Sequence, residues 1–198
     1  LFPFERIEAS DPFRHMAHQY LDFARYLGAD PGEIRWDIPV PGRPPVTLPQ
    51  NYVVLNIGAT TSAKRWTPEG FASLAQGIMQ HHAMPCVLTG GPGDIPTSRL
   101  IDARVKDHLV NLVGKTSVPE LTQVLAGAKA VVSCDTGPMH LAVALGKEVV
   151  TLIGPTNPGR TGPLKGRIVR QDLPCMPCNK RRCENPACMK GITSEMVM

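Results

Sequence analysis

The chain has 198 residues, 42% of them hydrophobic, and a formal net charge of +4, enough for one well-packed domain with an appendage and too little for two full domains. No apolar run reaches the ~18 residues of a membrane span, and no basic-then-apolar segment opens the sequence as a secretory signal would, so the chain reads as cytoplasmic. It begins at Leu1 without a methionine, and we expect an excised piece with a partner domain on its N-terminal side.

In chain order, Ser10-Asp11-Pro12 is a helix-start signal, and Phe13, Ala17, Tyr20, Leu21 and Ala24 recur at helical spacing up to a stop at Gly28. Pro39, Pro41, Pro44, Pro45 and Pro49 then form a connector that continues neither a helix nor a central strand. It divides the chain into 1–49, a helix with a connector, and 50–198, the main domain. There the pattern predicts a strand over 52–57, a helix over 68–82, a strand over 85–89, a helix near 98–105, a short strand over 109–113 and a helix over 119–128. An apolar strand starting at Val131 passes through a polar turn into a further helix, and 149–153 is the last strand. Continuous apolar strands alternating with helices predict an α/β fold, a Rossmann-like doubly wound parallel sheet covered on both faces.

The turn after Val131 carries the densest chemistry: Ser133-Cys134-Asp135-Thr136-Gly137-Pro138-Met139-His140. Pro138 suits the first helical position and Gly137 lets a ligand reach the backbone, so free N–H groups at the helix start are offered to an anion. Asp135 or Thr136 alone is accounted for by capping; Asp135, Thr136 and His140 together favour a ligand. Ligands of such sheets sit beyond the carboxyl ends of the strands, so the other polar loops belong to the same surface. Gly58-Ala59-Thr60-Thr61-Ser62-Ala63-Lys64 offers hydroxyls and a lysine to a diphosphate, in a spacing that is neither the dinucleotide fingerprint nor the phosphate loop of triphosphatases. Lys64 by itself is more often a solvated surface lysine. Gly90-Gly91-Pro92-Gly93-Asp94 is either a plain turn or a close backbone approach with Asp94 accepting from ribose, and in the loop from Gly154 to Pro163, Thr156 and Arg160 offer phosphate donors.

Segments GATTSAKRW, GGPGD, the Gly114-Lys115-Thr116-Ser117 turn, SCDTGPMHLAVALG and GPTNPGRTGP, in that order, resemble the C-terminal half of glycosyltransferase family 9, the lipopolysaccharide heptosyltransferases, over roughly residues 50 to 190. The resemblance implies the GT-B architecture, two Rossmann-like domains facing across a cleft, with this chain as the nucleotide-sugar domain. It implies that Thr60, Thr61 and Lys64 meet the diphosphate of ADP-heptose, Asp135, Thr136, Gly137 and His140 surround phosphates and sugar, and Thr116 lies near adenine. Asp94 stands where the family has a ribose-binding glutamate, one methylene shorter. It further implies inverting transfer to a lipid-linked oligosaccharide of the lipopolysaccharide inner core, with no catalytic metal, an acceptor-activating base in the missing N-terminal domain, and Lys64 stabilising the leaving group.

Residues 160 to 190 hold eight Lys or Arg against Asp172 and Glu184, a net +6 that leaves −2 for the rest. This suits a phosphorylated ligand, peripheral contact with an anionic membrane at the inner face of the inner membrane, or a solvated basic face; few aromatics interleave, which speaks against nucleic acid. Cys86 and Cys134 fall in strands as inert core residues. Cys175, Cys178, Cys183 and Cys188 have the compactness of a structural metal site or form a loop packed on the domain. Besides a heptosyltransferase, the pattern admits a related sugar-nucleotide enzyme such as an epimerase, or a non-catalytic metal- or nucleic-acid-binding module.

Overall fold

Six short strands pair in parallel: β1 (Val53–Asn56), β2 (Cys86–Thr89), β3 (Leu109–Asn111), β4 (Ala130–Cys134), β5 (Glu148–Leu152) and β6 (Arg167–Val169), in the spatial order β3-β2-β1-β4-β5-β6. The structure is a computed structural model describing residues 11, 14–40, 42–105 and 108–198. Strand order reverses between β1 and β4. At such a switch point the loops leaving two neighbouring strands part to opposite faces and open a crevice.

Around the sheet lie α1 (Met16–Tyr26), α2 (Pro68–His82), α3 (Ile95–Val105), α4 (Val118–Gly127), α5 (Gly137–Ala144), α6 (Pro158–Thr161), α7 (Ala187–Lys190) and α8 (Ser194–Val197). Side chains alternate across each strand. Val53, Leu55, Ile57, Cys86 and Leu88 therefore pack with Phe71, Leu74 and Ile78 of α2 and Ile101 of α3. Tyr52, Val54, Val87 and Val131 pack on the other face with Val124 and Leu125 of α4 and Met139 and Ala142 of α5. Burial on both faces is why these strands read as unbroken apolar runs.

Local chemistry fixes the helix ends. Thr67 caps α2 through the N–H of Gly70 and Pro68 opens it, while Ala83 closes it in the left-handed conformation at φ 52°. Ser117 and Glu120 form a reciprocal capping box on α4. His15 caps α1: its Nδ1 accepts from the N–H of Ala17, and its Nε2 stands 3.0 Å from the carbonyl of Gly162, the tautomer with its proton on Nε2 serving both.

Several elements differ from the sequence expectation. The first helix is present and stops before Gly28, which takes φ +81°, yet it has no buried residue, and Tyr20 is 66% exposed. The start signal at Ser10 and Pro12, with Phe13 and Pro41, lies outside the described residues. α3 starts at Ile95 rather than near 98, because the single 3₁₀ turn Pro92–Asp94 leads straight into it with Pro96 in the first turn, where a missing N–H is harmless. β6 was not foreseen: it is a three-residue edge strand with Arg167 and Ile168 exposed, too short for a periodic signal.

Candidate functional site

The loops after β1 and β4 meet at the switch point. Lys64, at the end of a 3₁₀ turn Ser62–Lys64, places its ammonium 2.8 Å from Asp135 Oδ2 and 3.5 Å from the Asp135 carbonyl. The same carboxylate oxygen accepts the hydroxyl of Thr156, at 2.6 Å, from the loop after β5. Asp135 is therefore a buried joint, its side chain 5% exposed against 22% for Lys64, and not the solvent-facing helix-start residue that the sequence suggests. Trp66 holds the loop beneath: its indole N–H donates to the carbonyl of Ile192, its ring meets Phe71 edge-on, and only a glycine fits at position 70, where a Cβ would stand 2.4 Å from the indole.

Neither Asp135 nor Thr136 caps α5. Thr136 occupies the N-cap position in extended conformation with no side-chain bond to the helix, and the Asp135 carboxylate is turned to Lys64 and Thr156. The first N–H groups of α5 thus lack the side-chain partner that Thr67 and Ser117 give α2 and α4, and donors of this kind favour an anion. A Cβ added at Gly137 would meet nothing within 4 Å. The glycine is not required by the protein's own packing.

A cavity of about 1040 Å³ opens here, its walls including Thr60, Lys64, Asp135, Thr136, Gly137, His140, Thr156 and Arg160, with Tyr20 and Trp36 at its side. A second, of about 290 Å³, is lined by Asn56, Gly58, Gly90, Asp94, Thr116, Leu121 and Pro138, and Thr136 belongs to both. The arrangement offers an anion-binding chamber beside a smaller, partly apolar slot. Thr61 lines neither; its buried hydroxyl has no partner among the described residues. Asp94 is buried and engaged, one oxygen at 2.5 Å from the Arg65 guanidinium and the other accepting the N–H of Gly91 at 2.8 Å. Gly58 and Gly90 allow this, since a Cβ on either would come within 2.7 or 3.0 Å of the carboxylate.

Partial desolvation at the cavity wall holds the pKa of His140 below the free-imidazole value; His15 and Lys64 push the same way and Asp135 opposes. Burial pushes the thiols of Cys86 and Cys134 up to about 12, so both are protonated core groups. Cys188 is also buried, on α7, whereas Cys175 and Cys183 are exposed. Among the described residues no group of three or more His, Cys, Asp or Glu is placed to hold a metal ion.

One part of the site was not foreseen. Asn56, at the end of β1, is buried, donates to Ser133 Oγ of β4 at 3.0 Å and accepts the Thr89 hydroxyl of β2 at 3.3 Å. These three residues stand opposite one another in the strand register. They form a polar row under the smaller cavity. The signal was a polar residue near the end of the apolar runs of β1, β2 and β4.

The strand order and the crevice at its switch point define a doubly wound α/β domain of the Rossmann type. Structural comparison agrees: the fold matches the family 9 glycosyl transferase of Veillonella parvula at TM-score 0.78, with 22% identity, 96% of this chain and 60% of that one. It matches Escherichia coli heptosyltransferase WaaC, solved with ADP, at TM-score 0.70, with 23% identity, 97% of this chain and 57% of that one. In sequence, lipooligosaccharide heptosyltransferase 2 of Campylobacter jejuni is 32% identical over 153 residues, 73% of this chain and 48% of the relative. The profile of glycosyltransferase family 9 (heptosyltransferase) matches residues 3–189, and the chain belongs to that family. It spans about half the length of the heptosyltransferase it matches.

Proposed function

We propose that this chain is the donor-binding half of an inverting glycosyltransferase that moves heptose from ADP-heptose to the lipopolysaccharide inner core. The observation that carries the reading is the crevice at the β1/β4 switch point, where the uncapped start of α5, Lys64 and the hydroxyls of Thr60 and Thr136 face one chamber. In this reading Thr60 and Lys64 serve the diphosphate, without the buried hydroxyl of Thr61; Thr136, Gly137 and His140 surround phosphate and sugar; and Asp135 orients Lys64. The nucleoside takes the smaller slot, with Thr116 beside adenine and Asp94 toward ribose. Asp94 would have to share its carboxylate with Arg65, its partner here.

When the bond between the anomeric carbon and the diphosphate oxygen breaks, the electron pair stays on the diphosphate. Lys64 and the α5 N–H groups lie where they offset that charge. The base that takes the acceptor proton belongs, in this reading, to a facing N-terminal domain, with residues 1–49 as helix and connector to residues 50–198. No step is assigned to a metal. We place the protein at the cytoplasmic face of the inner membrane, its basic segment 160–190 in peripheral contact with anionic lipid. No described helix is long and apolar enough to cross a membrane.

Calorimetric titration with ADP, UDP and GDP tests the reading. ADP is expected to bind most tightly, and a failure to bind any nucleoside diphosphate would overturn it. Transfer to a heptose-deficient lipopolysaccharide acceptor is expected only when an N-terminal half is supplied in the same chain.

A further inference from the structure

We propose that Arg160 is a phosphate-binding residue of the large cavity: its guanidinium supplies the uncompensated positive charge that holds the sugar-linked phosphate of the nucleotide donor. The inference rests on the donor-binding reading above and names the cation on which that reading's electrostatics depend.

Among the described residues, the Lys, Arg, Asp and Glu side chains that line the chamber are Lys64, Asp135 and Arg160. Lys64 and Asp135 neutralise each other at 2.8 Å. The pair orients the ammonium but leaves little net charge for a diphosphate, which brings more than one negative charge of its own. His140 adds little, since partial desolvation at the cavity wall favours its neutral form. The remaining charge is that of Arg160, which is exposed and whose guanidinium has no hydrogen bond or ion pair among the described residues.

Its backbone is well fixed. The loop that carries it is tied at one end by Thr156 to Asp135, at 2.6 Å, and at the other by the carbonyl of Gly162, which faces His15 Nε2 at 3.0 Å. Between these ties Asn157 caps α6 by accepting the N–H of Gly159, at 3.0 Å. Arg160 thus stands in the single turn of α6, four residues after the one that touches Asp135. The planar guanidinium presents paired N–H donors that match two oxygens of one phosphate, which an ammonium does not. An anionic group on the acceptor would suit the same donors, and the experiment separates the two sources.

The test is calorimetry on wild type, R160A, R160K and R160Q with adenosine, AMP and ADP at two salt concentrations, using UDP or GDP and its nucleosides if the wild type prefers that base. R160A and R160Q are expected to lose roughly tenfold or more in diphosphate affinity, the size of one charge-assisted hydrogen bond, with nucleoside binding unchanged and a shallower salt dependence. R160K should recover part of the loss. Thermal unfolding should be the same for all four, because the side chain is exposed and unbonded. Equal diphosphate affinity in wild type and R160A, or an equal loss for the nucleoside, overturns the proposal while leaving donor binding standing. Equal diphosphate affinity together with weaker binding of a phosphorylated acceptor assigns Arg160 to the acceptor, and also overturns it. A wild type that binds no nucleoside diphosphate removes the donor reading itself.

Discussion

Lys64 Nζ and Asp135 Oδ2 stand 2.8 Å apart, so that a residue of the loop after β1 and one of the loop after β4 are joined across the switch point of the sheet. Removing either partner strands the other. Asp135→Ala leaves a mostly buried ammonium and the Thr156 hydroxyl unpartnered, and is expected to lower stability by about 2–3 kcal/mol, below the ~3–5 kcal/mol of a fully buried pair because Lys64 is 22% exposed. Replacing both, as in Lys64→Met with Asp135→Leu, should recover most of that loss. Urea unfolding of the wild type, Asp135→Ala and the double variant checks both statements, and a double variant no more stable than Asp135→Ala would show that the stranded ammonium is not what destabilises the fold.

The same pairing gives Lys64→Ala two effects on ligand affinity: it deletes a phosphate donor and leaves a bare carboxylate beside the phosphate. Diphosphate binding is expected to fall by more than the ~1.5–3 kcal/mol of one charge-assisted contact, while nucleoside binding holds. Lys64→Ala with Asp135→Asn should bind the diphosphate better than Lys64→Ala alone. Calorimetry reads all of this, and the reverse order for the two variants would mean that Asp135 does not face the ligand.

Gly137→Val separates ligand space from protein space. An added Cβ meets nothing within 4 Å, so stability should change by no more than about 0.5 kcal/mol. A ligand lying against the start of α5 would lose tenfold or more in affinity. Unchanged diphosphate binding by a stably folded Gly137→Val protein would move the ligand away from this helix end.

His140 makes the fold acid-sensitive. Its folded pKa lies below the ordinary 6.5, chiefly through partial desolvation at the cavity wall, so the unfolded chain takes up this proton first as pH falls. The stabilisation is complete above about pH 6.5 and is lost as pH drops through the lower folded value. Thermal midpoints between pH 7.5 and 5 should therefore fall less for His140→Gln than for wild type. Parallel curves would show that His140 contributes nothing to the pH dependence.

Asn56→Leu should cost about 1–3 kcal/mol, since it leaves Ser133 and Thr89 without their buried partner. This row also marks how far the sequence could be read. The strands β1, β2 and β4 were legible because burial on both faces makes them continuous apolar runs, and the loops bearing Lys64, Thr136 and His140 were legible because their polarity follows those runs. Pairing between loops leaves no such trace. Nothing in the sequence says that Asp135 spends its carboxylate on Lys64 and Thr156, or Asp94 on Arg65, since these contacts depend on which strands become neighbours. β6 and the four-residue helices were invisible for a simpler reason: each is shorter than the stretch over which a period can be recognised.

The bond from the Trp66 indole to the carbonyl of Ile192 joins residues 126 positions apart. During synthesis at ~5–20 residues per second, Ile192 follows Trp66 by roughly 6–25 s. The turn that carries Lys64 leaves the ribosome early yet receives one of its fastenings late, after every strand of the sheet has been made. A nascent chain halted before Ile192 would hold a nearly finished sheet with Trp66 unanchored. The site would reach its working shape only as the C-terminal segment closes over the indole.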